Sequence, residues 1–324
     1  MTQQLTLLTW PDYISPRTLE QFEAEYQTKV NVEIVPSAVE LMERMKSGAK
    51  PDVLCPPDYA VRELGAEGLL AKLDHAQLPN MEHLEKRFQL DRPHDAESRI
   101  SIIKDWGTTG FMYRTDMIYE APKSWADFWR LAEKFSGRVT VLDSPGEVIG
   151  AALKMRGHSY NASSPDLLAG ARDDLLNLRS HLLAFETNYK PLLISGEACM
   201  SLGWNGDAAA LIEREMPIEY VIPSEGSQIW EDDWAIAAGA PNLDLAHIFL
   251  NFVLRPEIAA QEAMYTRYAT GNQSALKLLD KEMRNNTSTY PPDEILEKLE
   301  AGVPLNEDGR RMREEVWNEI RNYK

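Results

Sequence analysis

Four short apolar runs in this chain each end at a tryptophan with an acid or amide close by: LTLLTW-PDY, SIIKDW-GTTG, MSLGW-NGD and IWEDDW-AIAA. They put Trp10, Trp106, Trp204, Trp230 and Trp234 at or next to the ends of expected strands. An indole face attracts an organic cation through its ring quadrupole, and a neighbouring carboxylate neutralises the charge. W-P-D-Y adds Tyr13 on a turn after the first strand, where Pro11 stops the ladder. P-P-D-Y adds Asp58 and Tyr59 after the third strand, and D-S-P-G-E adds Ser144 and Glu147 at a strand-to-helix turn. W-N-G-D adds Asp207, W-E-D-D-W adds Asp232 and Asp233, and RYATGN adds Tyr268 after a helix. Each group has a plain structural reading as well. Trp10 can cap the core, Glu147 can be a first-turn acid, Asp207 can be an N-cap and W-E-D-D-W can be an exposed edge. The common position at strand ends favours binding, because ligand crevices of open α/β sheets form there.

Other chemistries lack their signatures. The six histidines, at 75, 83, 94, 158, 181 and 247, share no metal-ligand spacing, and two cysteines make neither a zinc site nor a disulfide framework. No metal and no cofactor are expected. There is no G-x-S-x-G elbow, phosphate loop or dinucleotide-binding turn. The net charge of −17 disfavours nucleic acid and anionic membranes and favours cationic ligands. Cys55 and Cys199 are expected as buried, unpaired thiols.

These residues need strands and helices to hold them. Strands are expected at 5–10, 30–35, 52–57, 99–106, 110–118, 138–143, 198–204, 218–223 and 233–239. Helices are expected at 16–26, 38–48, 59–64 with Gly65 as the stop, 124–135, 147–157, 165–183, 207–215 and 243–266 with a break at Pro256, followed by a charged helical tail from Pro292 to Lys324. Ser124 and Asp127 form a capping box with Asp in place of Glu. Trp125, Trp129 and Trp317 lie inside helical patterns as packing residues. Alternating strands and helices give βαβ units and a mostly parallel sheet. A chain of 324 residues exceeds one core. With no flexible linker, the two lobes are expected to exchange chain at extended crossings, near Trp106–Gly110 and Asp232–Ala235. The domain expectation is 1–109 with 234–278 for one lobe and 110–233 with 279–324 for the other. No transmembrane run occurs, and Met1 to Leu5 enters a strand pattern without a charged n-region or apolar h-region.

From LTLLTWPDY through VLRPEIA and YATGN to the C-terminal helices, the sequence resembles the periplasmic spermidine/putrescine-binding proteins of ABC importers. The resemblance implies a two-lobed periplasmic-binding-protein fold of type II: each lobe a mixed, mostly parallel sheet flanked by helices, joined by two crossover strands and closing on its ligand by a hinge. It implies that Trp10, Tyr13, Tyr59, Glu147, Trp204, Trp230, Asp232 and Tyr268 bind the ligand. Asp232 and Glu147 would engage its nitrogens while the aromatic rings sandwich its methylenes. It also implies a permease partner, no catalysis, a monomer and a periplasmic protein whose export signal is absent from this chain. Three positions depart from the family pattern: Pro57 for a small polar residue, Ser144 for a second carboxylate and Leu305 for a C-terminal glutamine. They admit a shorter diamine, a guanidino compound or another amine, with Asp58, Ser144, Asp207 and Asp233 as further candidates for its charges. A carbohydrate-active enzyme also uses aromatic platforms with two carboxylates, and a polyamine sensor would look the same as an importer component.

Overall fold

The structure is a computed structural model describing residues 4–90, 92–303 and 305–323. Met1–Gln3, where the first strand pattern was expected to begin, lie outside the described residues. In chain order the first elements are β1 (Gln4–Thr9), α1 (Pro16–Tyr26), β2 (Lys29–Ile34), α2 (Ala38–Lys46), β3 (Val53–Leu54) and α3 (Asp58–Ala66). Residues 75–98 hold only short 3-10 turns, and β4 (Ser101–Arg114) follows. Next come α4 (Trp125–Lys134), β5 (Val139–Val141), α5 (Pro145–Met155), α6 (Pro165–Arg179), β6 (Leu182–Phe185) and α7 (Lys190–Ser195). The chain continues through β7 (Met200–Trp204), α8 (Asn205–Glu213), β8 (Ile218–Val221), β9 (Gln228–Ile236), α9 (Leu243–Val253) and α10 (Pro256–Thr266). It ends with α11 (Lys281–Arg284), α12 (Asp293–Leu296), β10 (Glu300–Ala301) and α13 (Glu307–Asn322).

Two compact units form. One is Met1–Trp106 with Trp230–Asn285, the other Gly107–Ile229 with Asn286–Lys324. The middle crossing falls after Ile229 rather than after Asp233, which moves Trp230, Asp232 and Asp233 from the second unit into the first. Backbone pairing is the reason. Pro57 bridges Asp232, and Asp233 N donates to Pro56 O at 2.9 Å, so these residues are tied to the turn between β3 and α3. The outer crossings fall at 106/107 and 285/286, against expected positions of 109/110 and 278/279.

In the first unit, β1 lies parallel to both β2 and β3, and β3 is antiparallel to β9. Leu8, Leu41, Leu54, Val61 and Ala235 make one buried cluster there. Phe22 of α1 meets Phe249 and Phe252 of α9 edge to face. In the second unit, β5 lies parallel to β6 and β7, while β4 is antiparallel to β7 and β8. Phe111, Trp125 and Phe128 stack in its core, and Trp129 and Trp317 pack against it. Burying Phe111 and Phe128 completely supplies about 1.5–3 kcal/mol each.

Several local expectations change. The two strands around Trp106–Gly110 are one continuous strand, β4. Gly110 permits this, because a Cβ there would collide with Val221 O of the adjacent β8. Gly65 does not stop α3, which runs to Ala66. It makes room for the Ile100 side chain. The helix expected to reach Leu183 ends at Arg179, and Leu182–Phe185 pair with β5 instead. Tertiary pairing outweighs a weak helical pattern here. Half of the Ser124–Asp127 box forms as expected, with Asp127 N donating to Ser124 Oγ at 3.0 Å, while the Asp127 carboxylate accepts from Ser124 Oγ at 2.8 Å and from the preceding Lys123 N at 3.0 Å. Cys55 and Cys199 are both free and buried.

Candidate functional site

The first unit gathers five of the expected residues. Beyond β1 the W-P-D-Y turn places Asp12 at φ +54°, a left-handed conformation that Asp tolerates. On either side of it stand Trp10, half-buried, and Tyr13, 9% exposed. β9 contributes Trp230 and Asp232, and the loop after α10 contributes Tyr268. Tyr268 stands edge-on to Trp230 at 4.9 Å and to Tyr13 at 6.1 Å between ring centroids. Trp10 Nε1 donates to Asp232 Oδ2 at 3.2 Å. Tyr59 is largely exposed at the start of α3, whereas Asp58 beside it is buried, with Tyr59 N donating to its Oδ1 at 2.6 Å.

Two neighbours of this group escaped notice in the sequence. Lys104 and Asp105 of β4 are buried, with Lys104 Nζ donating to Asp105 Oδ2 at 2.7 Å and Tyr13 Oη to Asp105 Oδ1 at 2.6 Å. Lys104 Nζ also sits 4.0 Å from the centroid of the Tyr13 ring. The K-D-W triplet was the available signal: charged residues inside a strand that must be buried have to pair. Asp105 therefore has its cation, whereas Asp232 feels Lys104 only at longer range and has no ion pair among the described residues. Burial, then the charge of Asp105, pushes the Asp232 carboxyl up to about 8, against the opposing pull of Tyr13 and Lys104. Burial also raises Asp58, to about 6.

Asp233 does not serve as a further ligand acid. Successive strand residues face opposite sides, and Asp233 points with Glu231 into a largely buried cluster. Arg92 donates through Nη2 to Asp233 Oδ2 and through Nε to Glu231 Oε2 at 3.0 Å. His94 Nε2 lies 3.0 Å from Asp233 Oδ2, and Ser101 Oγ donates to the same oxygen at 2.7 Å. Burial opposes ionisation of Asp233, but Arg92 and His94 outweigh it and hold the carboxyl at about 2. His94, Glu231 and Asp233 have donor atoms within 4.8 Å of one another, close enough for a metal. Arg92 already supplies the cation those acids need.

The second unit carries a smaller group. Glu147 lies in the first turn of α5, behind Pro145 at its start. Its Oε1 accepts from Trp204 Nε1 at 2.6 Å and from Thr109 Oγ1 at 2.8 Å, and Ser144 also donates to the carboxylate. Burial raises the Glu147 carboxyl, and these donors only partly offset it. Tyr220 Oη donates to Thr108 O at 2.8 Å, its own ionisation suppressed by burial. Ser144 thus supports Glu147 rather than replacing a second acid. Asp207 is taken: Lys190 Nζ donates to it at 2.6 Å and Tyr189 Oη at 2.8 Å. Trp106 and Trp234 are core residues, 1% and 2% exposed, with Trp234 edge-on to Phe249.

Two α/β units that exchange the chain three times, each with an indole N–H on a carboxylate that has no cation of its own among the described residues, define a solute-binding protein. The chain belongs to the family described as bacterial extracellular solute-binding proteins, whose model matches residues 18–289. It is 32% identical over 295 residues to the spermidine/putrescine-binding periplasmic protein 1 of Haemophilus influenzae, covering 90% of this chain and 81% of that one. It is 31% identical over 343 residues to a putrescine-binding periplasmic protein of Escherichia coli, covering 99% and 92%. The solved structure of a spermidine/putrescine ABC transporter substrate-binding protein from Streptococcus pneumoniae superposes with a TM-score of 0.90 at 30% identity, covering 99% of both chains.

Proposed function

We propose that this protein captures a polyamine of the putrescine or spermidine kind outside the cytoplasm and delivers it to the permease of an ABC importer. The observation that carries the reading is the recurring pair of indole N–H and unneutralised carboxylate: Trp10 with Asp232 and Trp204 with Glu147. Each acid is oriented by its tryptophan and needs a cation. An ammonium group supplies one and donates several hydrogen bonds to it. Trp10, Trp230, Tyr13 and Tyr268 take the methylenes, and Tyr59, exposed at the start of α3, offers a further aromatic face. The relatives named for spermidine and putrescine support the same ligand class.

The mechanism is binding, not turnover. A charge-assisted hydrogen bond contributes about 1.5–3 kcal/mol and a desolvated cation–π contact about 0.5–2. A few of these, less ordering costs, reach the roughly 8 kcal/mol of micromolar affinity. The protein acts as a monomer in this reading, and its net charge of −17 steers cations toward it and nucleic acid away. No helix among the described residues is long and apolar enough to cross a membrane.

Titration calorimetry and a thermal-shift panel of putrescine, spermidine, agmatine, arginine and neutral sugars test the proposal. A ligand that binds only the native state raises the melting temperature. Saturable binding of an aliphatic amine, with no response to sugars, is expected. A panel in which no amine shifts the transition overturns it. Tightest binding by agmatine would favour a guanidino ligand, which the departures at Pro57, Ser144 and Leu305 admit.

A further inference from the structure

β9 re-enters the first unit at Trp230 and presents three consecutive acids. Asp232 faces Trp10, while Glu231 and Asp233 face Arg92 and His94 from the other side of the strand. The guanidinium of Arg92 is wholly shielded and bonds both acids, and its Nη1 donates to Ser101 O at 3.2 Å. Asp95 Oδ2 ties the same segment by accepting from Ser101 N at 2.8 Å and Ile100 N at 3.0 Å. The strand is thus gripped from behind at the two residues that flank Asp232. Residues 92–101 contain no α-helix to stiffen them. Buried ion pairs of this kind are costly to assemble and are a poor route to stability, so a role in fixing geometry is the better account of them.

We infer that Arg92, with His94, is a positioning residue for amine recognition: it neutralises and clamps the back of β9 so that Asp232 is held in place and can give up its proton to the approach of the ligand's nitrogen. The inference rests on the proposed role of Asp232. Its consequence is electrostatic as well as geometric. From β4, Asp105 and Lys104 face Asp232; from the turn after β1, Tyr13 does; from the β3–α3 turn, Cys55 and Asp58 do. Behind the strand, the charges of Glu231 and Asp233 are balanced by Arg92 and His94. Without Arg92 those two acids add their negative charge to this surrounding, and Asp232 becomes harder to ionise.

Putrescine affinity is measured by calorimetry from pH 6 to 9 for the wild type, Arg92→Met and Arg92→Lys, with folding checked by circular dichroism. Arg92→Met is expected to bind at least tenfold more weakly at pH 7, with its affinity recovering at higher pH than in the wild type. Arg92→Lys is expected to regain much of the loss. A purely structural role would lower the melting temperature and leave the pH profile of the folded protein in place. A folded Arg92→Met with wild-type affinity and profile overturns the inference. Should Arg92→Met not fold, amide hydrogen exchange on the ligand-free wild type decides: protection at Glu231–Asp233 equal to that of β1 supports the clamp, and loop-like exchange there overturns it. A wild type that binds no amine would instead sink the functional proposal, and the exchange measurement would still report on the clamp.

Discussion

The two units hold their key acids by the same device in opposite surroundings. Asp232 and Glu147 each accept a tryptophan N–H. Around Asp232 stand Asp105, Lys104 and Asp58, with the Arg92 cluster behind the strand. Around Glu147 the partners are neutral: Trp204, Thr109, Ser144 and, further off, Tyr220. Burial is the main force raising both carboxyls, but charged neighbours then act on Asp232, whereas only neutral hydrogen-bond donors act on Glu147. One acid is tunable by its neighbours and the other is a fixed anchor.

The largest effect is expected at Asp232. Asp232→Asn keeps the shape and the bond from Trp10 but removes the charge, and calorimetry should show a ten- to hundredfold loss of amine affinity, about 1.5–3 kcal/mol. Unchanged affinity would put recognition elsewhere.

The pH dependence comes next. With its carboxyl at about 8, Asp232 is mostly protonated at pH 7 in the ligand-free protein and must lose that proton to pair with an ammonium. Affinity should therefore rise with pH up to about 8, by up to tenfold per unit, and then level off. Calorimetry in buffers of different ionisation enthalpy should register the released proton. Stability runs the other way. The folded value lies above the unfolded value of about 3.9, so the folded state binds more protons between those limits. This contribution is full below about pH 4 and is lost as pH rises through 8. The melting temperature of the ligand-free wild type should fall across that range relative to Asp232→Asn. A flat difference between the two proteins would show that Asp232 ionises normally.

A third, smaller change is expected for Glu147→Gln: a roughly tenfold loss of affinity, within the range of one charge-assisted bond. It should leave the pH dependence assigned to Asp232 in place. If the pH dependence vanished with it, the contrast between the units would fail. The smallest effect is expected for Asp207→Asn, because Lys190 and Tyr189 already occupy that carboxylate. Amine affinity should stay within twofold, with a stability change of up to about 1 kcal/mol for the half-exposed ion pair, after discounting for solvent screening. A tenfold loss would restore Asp207 to the ligand set.

Much of this was legible in the residues. Pro16 opens α1 where helical spacing placed it, and Ser124 with Asp127 opens α4. Trp10 and Trp204 stand at strand ends because each apolar run could be read as one, whereas Trp230 lies inside the longer β9. The alternation of the two periods, with no linker, already required an α/β chain that exchanges between units. What could not be read was the fate of each acid. In W-E-D-D-W all three carboxylates look alike, yet Asp232 meets an indole, while Asp233 meets an arginine 141 residues away. Asp207 reads as a ligand acid until Lys190 is placed beside it. Trp106 and Trp234 have the same local pattern as Trp10 and are core.

The sequence by itself determined the element types, the acidic charge and the aromatic residues offered at strand ends, because these depend on periodicity and on neighbours a few positions apart. The tertiary structure alone decided which carboxylates remain without a cation. Pairing a buried charge requires a partner within about 4 Å, and Arg92 reaches Glu231 and Asp233, 139 and 141 residues away, only once β9 has been brought into place in the first unit.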